Sequence, residues 1–372
     1  MIKIGITGQA GFVGSYLYNT IGLYKDEMER VPFERACFEN ELLLDAFVQQ
    51  CDVIVHLAAM NRHTDANVIY DTNTSLVKKL VDSLRRTGAR PHIIFSSSTQ
   101  EEKDNLYGKS KKEGRQLLAS WAAETGGAVT GMVIPNVFGP FGKPFYNSVV
   151  ATFCTQIARG ETPRIDTDAD LQLIYVGELV AEIIHVIRNR ISDVEYNVAS
   201  TAQAKVSQIL SLLQSFKALY QDKGQIPLLS TSFELNLFNT YRCYMDIAAH
   251  FPVRFTAHTD ARGAFVEIIR LGTGGQVSFS TTVPGITRGE HFHTRKIERF
   301  AVIKGQALIQ LRRIGTAEVL NFELSGKEPA YVDMPVWYTH NIKNTGAEEL
   351  YTIFWINEFY DPEDPDTFFE KV

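Results

Sequence analysis

MIKIGITGQAGFVG, Met1 to Gly14, opens the chain with a short apolar run and then three glycines spaced three apart, Gly8, Gly11 and Gly14. Directly after a strand, that spacing has a mechanical meaning. The first glycine permits a tight turn, the second lets backbone approach a pyrophosphate, and the third lets the next helix pack against the strand. The helix N-terminus, opened by Phe12 and Val13, can then meet the phosphates with its unpaired N–H groups. Glycines alone are a weak sign, but their position after the first strand predicts a dinucleotide site.

Outward from that turn, short apolar runs alternate with amphipathic stretches as far as about Tyr196: DVIVHLA, SLVKKLVDSLRR, HIIFSSS, KKEGRQLLASWAAE and AVTGMVIPNVF. This alternation predicts an α/β Rossmann-type, doubly wound parallel sheet with helices on both faces. From about Val253 the texture changes to strands separated by glycine-bearing turns, among them RFAVIKGQALIQLRR and LYTIFWINEF. With no long helix between them, these predict an all-β barrel or jelly roll. A length of 372 residues suits two domains. The expected division is 1–248 and 249–372.

A net charge of −6 argues against a nucleic-acid partner, which selects a basic face. Cys37, Cys51, Cys154 and Cys243 have no C-x-x-C spacing, so neither a zinc ribbon nor a disulfide framework is expected. No secretory segment and no run of 18 or more apolar residues is found, so the expectation is a soluble cytoplasmic protein without a membrane partner.

Tyr107 and Lys111 stand four apart where a helical pattern begins, and therefore share a helix face. A tyrosine with a reference pKa of about 10 is a poor catalyst at neutral pH, and a neighbouring ammonium is expected to lower it. Ser98 ends HIIFSSS, nine residues before Tyr107, at the sheet edge where ligands gather; Ser96 and Ser97 remain alternatives to it. Glycines, serines and Y-x-x-x-K together resemble the extended short-chain dehydrogenase/reductase family, as do HLAA at 56–59, Asn73 and PNVFGP at 135–140. The resemblance implies that Tyr107 protonates a carbonyl oxygen as hydride arrives, that Lys111 holds the nicotinamide ribose, and that Ser98 polarises the carbonyl. It also assigns His56, Leu57 and Ala58 to the cofactor and Asn136 to the substrate. After the second strand the chain offers both Glu34, suited to the ribose of NAD, and Arg35, suited to the phosphate of NADP.

In the back half, GITRGEHFHTRKIERFAVIKG (285–305) carries His291 and His293 two apart, so on a strand they point to one side, and Glu298 follows. His340 lies in PVWYTHNIKN. Three imidazoles and a carboxylate suit a divalent ion such as zinc, iron, manganese or nickel. The two segments resemble the two cupin motifs, except that Trp337 stands where cupins usually have glycine, which puts His340 in question as a ligand. The sequence DARGAFVE (260–267) and the RGEH that follows also resemble nucleotide-sugar 3,5-epimerases, implying that Arg262 contacts the nucleotide sugar and His291 is a base. A metal-bound imidazole cannot also be a free base, and His293 favours metal; Lys296, Tyr338 and Glu290 are then the candidate bases.

The whole chain resembles the CapF type of bifunctional capsular-polysaccharide enzyme. That resemblance implies a UDP-linked 2-acetamido-2,6-dideoxy-4-hexulose inverted at C3 by the cupin domain and reduced at C4 with NADPH by the front domain. The product would be the UDP-2-acetamido-2,6-dideoxy-L-talose that precedes UDP-N-acetyl-L-fucosamine. Zinc is the expected metal, in a catalytic or a structural role, and a homodimer the expected assembly. Alternatives are a monofunctional 4-ketoreductase with a structural or dimerising cupin, an iron dioxygenase, and a non-enzymatic sensor.

Overall fold

The opening run folds as β1 (Ile2–Thr7), whose last four residues are all buried. A strand covered on both faces belongs inside a parallel sheet roofed by helices. A computed structural model of the chain, which describes residues 1–261 and 263–372, has that sheet. Arg262 lies outside the described residues. After β1 come α1 (Phe12–Ile21), β2 (Met28–Val31), α2 (Glu41–Gln50), β3 (Val53–His56), α3 (Ala66–Thr87), β4 (His92–Ser98), α4 (Leu106–Thr125) and β5 (Val129–Ile134). Then follow β6 (Asn136–Phe138), α5 (Val149–Ala158), β7 (Asp170–Tyr175), α6 (Val176–Asn189), β8 (Tyr196–Asn197) and β9 (Ala202–Lys205). Six strands run β2-β1-β3-β4-β5-β8, every neighbouring pair parallel, as expected of a doubly wound fold. The strand order reverses between β1 and β3, and the crevice beyond their C-terminal ends is where such sheets bind ligands. Phe47, Leu80, Leu84, Leu118 and Trp121 from the helices close one core with Ile54, Ile93 and Phe95 from the strands.

The remaining elements are α7 (Val206–Phe216), α8 (Ser232–Arg242), α9 (Ile247–His250), β10 (Val253–Arg254), β11 (Ala257–Asp260), β12 (Gly263–Val266), β13 (Gln276–Thr282), β14 (Thr287–Phe292), β15 (Glu298–Lys304), β16 (Gln306–Arg313), β17 (Val319–Ser325), β18 (Ala330–Met334), β19 (Tyr338–Asn344), β20 (Leu350–Ile356) and β21 (Phe368–Phe369). Two five-stranded antiparallel sheets, β10-β18-β15-β20-β13 and β17-β16-β19-β14-β21, close on Phe300, Val302, Ile309, Leu311, Phe322 and Ile342, the all-β cupin fold that was expected. On β16, β17 and β19 polar residues such as Gln310, Asn321, Glu323 and Lys343 flank these, which is how one sequence supplies a wet face and a dry one.

By compactness the chain forms two units, Met1–Thr152 with Ala169–Lys205, and Phe153–Asp168 with Val206–Val372. Residues 206–248, grouped with the front domain on sequence grounds, therefore pack with the barrel. The physical reason is a buried charge network. Asp333 of β18 takes both Arg299 Nε (2.7 Å) and Nη2 (2.9 Å) from β15, and the Tyr220 hydroxyl donates to it at 2.7 Å. Arg242 of α8 then donates to the Tyr220 oxygen and to the Met334 carbonyl. Burial alone would keep Asp333 neutral, but the Arg299 guanidinium holds its carboxyl below the usual range.

Candidate active sites

At the switch point, Gly8 is left-handed (φ +76°), and a Cβ there would come within 2.8 Å of the Ala58 nitrogen. A Cβ on Gly14 would sit 2.2 Å from the Gly8 carbonyl oxygen. The turn after β1 and the segment after β3 are thus pressed together, joined by Leu57 N–H to Thr7 O and Ala58 N–H to Thr7 Oγ1. Gly11, Phe12, Val13, Leu57 and Ala58 stay at least partly exposed at that edge, so a cradle only glycines can form lies beside the α1 N-terminus, which fits a dinucleotide pyrophosphate. Glu34 and Arg35 are exposed just beyond β2. His56 is different: its side chain is 1% exposed, its Nδ1 pairs with Thr7 Oγ1, and its ring stacks on Phe95. Among the group assigned to the cofactor, His56 is a core residue whose backbone neighbours reach the edge.

Tyr107 is in the first turn of α4 and Lys111 one turn on. Asn105 caps the helix by accepting the Gly108 N–H at 2.7 Å, and a Cβ on Gly108 would fall 1.9 Å from the Gln100 oxygen, so α4 is seated tightly on the turn after β4. Arg115 fixes the same turn through Glu101 (2.7 Å), which also accepts the Ser97 hydroxyl. Ser96 donates to the His56 carbonyl, whereas Ser98 Oγ only accepts, from Gln100 N–H. Lys111 Nζ donates to the Ser96 carbonyl at 2.9 Å and lies 5.8 Å from the Tyr107 ring centre. The lowered tyrosine pKa expected from that ammonium is not found. Burial, followed by the nearby Tyr146, pushes the Tyr107 phenol up to about 12, and burial draws Lys111 down to about 8. A phenol held protonated is a proton donor rather than a base. Asn136 is exposed on β6, its amide donating to the Gln172 carbonyl.

In the barrel, His291, His293, Glu298 and His340 bring one donor atom each to within 4.8 Å of one another. Glu290 (φ +63°) is an extra residue in β14, a bulge that shifts the pairing from Gly289↔Asn341 to His291↔His340. His293 follows the end of β14, Glu298 begins β15 and His340 lies in β19. Trp337 occupies a left-handed turn (φ +64°), a conformation that favours glycine. Its indole is buried against Phe292, and His340 stays in the cluster, its Nε2 3.0 Å from Glu298 Oε2.

The cluster fits a cation on its own chemistry. His293 Nδ1 donates to the Asp366 carbonyl and His340 Nδ1 to the Tyr338 carbonyl, so in the neutral rings both Nε2 atoms carry lone pairs. Those atoms lie 3.2 Å and 3.0 Å from one Glu298 oxygen, and the buried His340 Nε2 satisfies no hydrogen-bond geometry. Lone pairs held that close call for a positive charge between them. Burial, with His340 and His293 beside it, draws His291 down to about 4; burial opposes ionisation of Glu298, but His293 and His340 hold it well below the carboxylate range. His291 alone of the four is partly exposed, marking the open side. Lys296 is buried, its Nζ donating to the Pro365 carbonyl at 2.6 Å, and Tyr338 is half-buried. Glu290 accepts from Asn341 and from Val372 N–H.

Sequence spacing missed the residues that set these groups: Asn105, Glu101, Arg115 and Asp366. Asn105 alone carried a signal, as a preferred cap residue just before a helical pattern.

A Rossmann sheet with a Tyr-Lys helix at its ligand edge defines a class, and the chain belongs to the NAD dependent epimerase/dehydratase family, which it matches over residues 4–199. Residues 258–368 match the polysaccharide biosynthesis C-terminal domain. More particularly, the chain is similar throughout to the capsular polysaccharide assembling protein CapF from Staphylococcus aureus, at 36% identity over 100% of both chains with a TM-score of 0.64. It is 32% identical to a UDP-2-acetamido-2,6-beta-L-arabino-hexul-4-ose reductase of Pseudomonas aeruginosa, over 99% of this chain and 98% of that protein. Likeness to the UDP-glucose 4-epimerase of Thermotoga maritima, 20% identical over 65% of this chain and 98% of that one with a TM-score of 0.56, concerns the fold. The protein is therefore an enzyme of the nucleotide-sugar reductase type, NAD(P)-dependent by family. No helix among the described residues is long and apolar enough to cross a membrane.

Proposed function

We propose that the enzyme inverts C3 of a UDP-2-acetamido-2,6-dideoxy-4-hexulose in its cupin barrel and reduces the C4 ketone in its Rossmann domain, giving UDP-2-acetamido-2,6-dideoxy-L-talose. The observation that carries this is the presence in one chain of both constellations, a buried Tyr-Lys helix at a dinucleotide edge and a three-imidazole, one-carboxylate cluster. The functional boundary is proposed at 248/249, distinct from the division by packing, and the compartment as the cytoplasm.

The Gly8–Gly14 turn would hold NADPH, with Arg35 suited to its extra phosphate, and the cofactor would supply the hydride for C4. Tyr107 gives its proton to the C4 oxygen, Lys111 orients Tyr107 and the nicotinamide ribose, and Ser98 donates to the carbonyl. Ser98 suits that role because, among the described residues, Ser96 and Ser97 donate to protein groups while Ser98 Oγ accepts from Gln100 N–H. Asn136 and Arg262 are assigned to substrate. In the barrel, His291, His293, Glu298 and His340 would hold a divalent ion, zinc in this reading, which would supply positive charge to stabilise the enolate. The ketone acidifies the C3 proton, which one group removes and another returns from the opposite face. Tyr338 and Lys296 are the residues proposed for this. Burial keeps the Tyr338 phenol protonated, and Lys296 can act only after leaving Pro365. The molecule is proposed to be a homodimer, since β13 is a sheet edge with Phe279 72% exposed and the β11–β12 hairpin carries Phe265 70% exposed; sedimentation at micromolar concentration checks this.

A second reading, a 4-ketoreductase whose cupin is structural, is favoured by the Pseudomonas relative being named as a reductase alone. Proton NMR in deuterated water with a UDP-4-keto-6-deoxy-N-acetylhexosamine separates the two. Deuterium entering at C3 before NADPH is added, then a reduced C3-inverted sugar, is the expected result. Reduction without exchange at C3 would leave the second reading.

A further inference from the structure

Between β20 and β21 the chain forms a strap, 357–367, and its key residue is Asp366. This aspartate is 3% exposed and left-handed (φ +38°), a conformation that a non-glycine residue keeps only when its surroundings impose it. Its carboxylate takes four donors from three consecutive residues: Thr294 N–H at 3.0 Å and Thr294 Oγ1 at 2.6 Å on one oxygen, Arg295 N–H at 3.0 Å and Lys296 N–H at 2.9 Å on the other. These three residues lie on the loop joining His293 to Glu298. The carbonyl of the same aspartate accepts His293 Nδ1–H at 2.5 Å. One residue thus holds the ring of one candidate ligand from behind and closes the loop that leads to another.

We infer that Asp366 is the positioning residue of the His/Glu cluster: it fixes His293 with its Nε2 lone pair turned to the cation and sets the distance from His293 to Glu298. This rests on the metal reading above. The carboxylate is bound by a concave run of N–H groups, the arrangement that proteins use to hold anions. Here the anion is the protein's own, and the strap is pinned beside it by Arg295 to Asp364 (2.9 Å) and, just past its end, by the Phe368 ring packed at a tilt against Phe292. An asparagine at 366 would aim an NH₂ group at an N–H donor, so the loop would open on that side while bulk is conserved.

The test uses the full-length protein and its D366N variant, each titrated with zinc against a chromophoric chelator and with cobalt(II) followed by its visible spectrum. D366N leaves the backbone carbonyl on His293 in place and acts only through the loop that sets His293 against Glu298. Changes to groups that position metal ligands typically weaken binding by about 10–100-fold, and the variant is expected near the lower end of that range with an altered cobalt band. A residue that merely braced the barrel would lower the melting temperature and leave affinity and spectrum unchanged, and that result overturns the inference. If D366N does not fold, T294V removes one donor from the carboxylate; zinc binding weakened at least about threefold supports the inference and equal binding overturns it. A parent protein that binds neither ion sinks the metal reading itself, a failure visible before any variant is compared.

Discussion

Trp337 shows what a single residue type hides. The sequence marks it as a bulky side chain in place of glycine, which put His340 in question as a ligand. What it does not display is φ, and with φ at +64° the indole turns into the core while its backbone N–H donates to the His293 carbonyl at 2.8 Å. Replacing it with glycine relieves about 1–2 kcal/mol of left-handed strain but forfeits about 3–5 kcal/mol of buried aromatic packing. W337G is therefore expected to lose about 1–4 kcal/mol in urea unfolding while zinc affinity stays within threefold. Other residues were legible because chemistry dictates their spacing: glycines three apart, Tyr107 and Lys111 one turn apart, His291 and His293 flanking one residue. Asp366 was not, since it lies 73 residues from His293 in an acidic, proline-bearing stretch that reads as a solvated loop.

Strand β15 shows the same division at the level of an element. Its continuous apolar run, Phe300 to Ile303, predicted a strand, and successive side chains leave it on opposite faces, Glu298 to the cluster and Arg299 to Asp333. The partner of Arg299 is set by tertiary pairing with β18, and Tyr220 joins from the helical segment 113 residues before Asp333, so no local pattern could assign 206–248 to the barrel. Removing one member of a buried pair strands the other. R299M should cost about 3–5 kcal/mol in urea unfolding, and adding D333L should recover most of the loss, because two apolar side chains leave no buried charge. A second variant as unstable as the first would mean that Tyr220 and Arg242, rather than the ion pair, hold the segment.

For the molecule as a whole, acidity is the condition that discriminates. Burial, with Lys111 adding to it, holds His56 down to about 3, and burial holds His92 to about 4. Both folded values lie below the 6.5 of an unfolded histidine, so stability is fully present above pH 6.5 and falls below it as the unfolded chain takes up protons that the folded one refuses. Each imidazole contributes a slope of about 1.4 kcal/mol per pH unit in that window. H92Q, which keeps a donor for Thr130, is expected to show a slope shallower by that amount between pH 6 and 4.5 in urea midpoints; an unchanged slope would mean that His92 is protonated in the folded state. The division into units has a further consequence, in time. Residues 153–168 leave the first unit to join the second, yet the rest of the second begins only at Val206. Cys243 lies beside Cys154, and at about 5–20 residues per second the ribosome needs roughly 4–17 s to pass from Ile157 to Cys243. Through that interval Phe153, Cys154 and Ile157, buried in the finished protein, have been made before their cover. The nascent chain therefore carries a greasy helix in waiting, flanked on both sides by a sheet that can already assemble, and it is this helix that a chaperone acting during synthesis would meet.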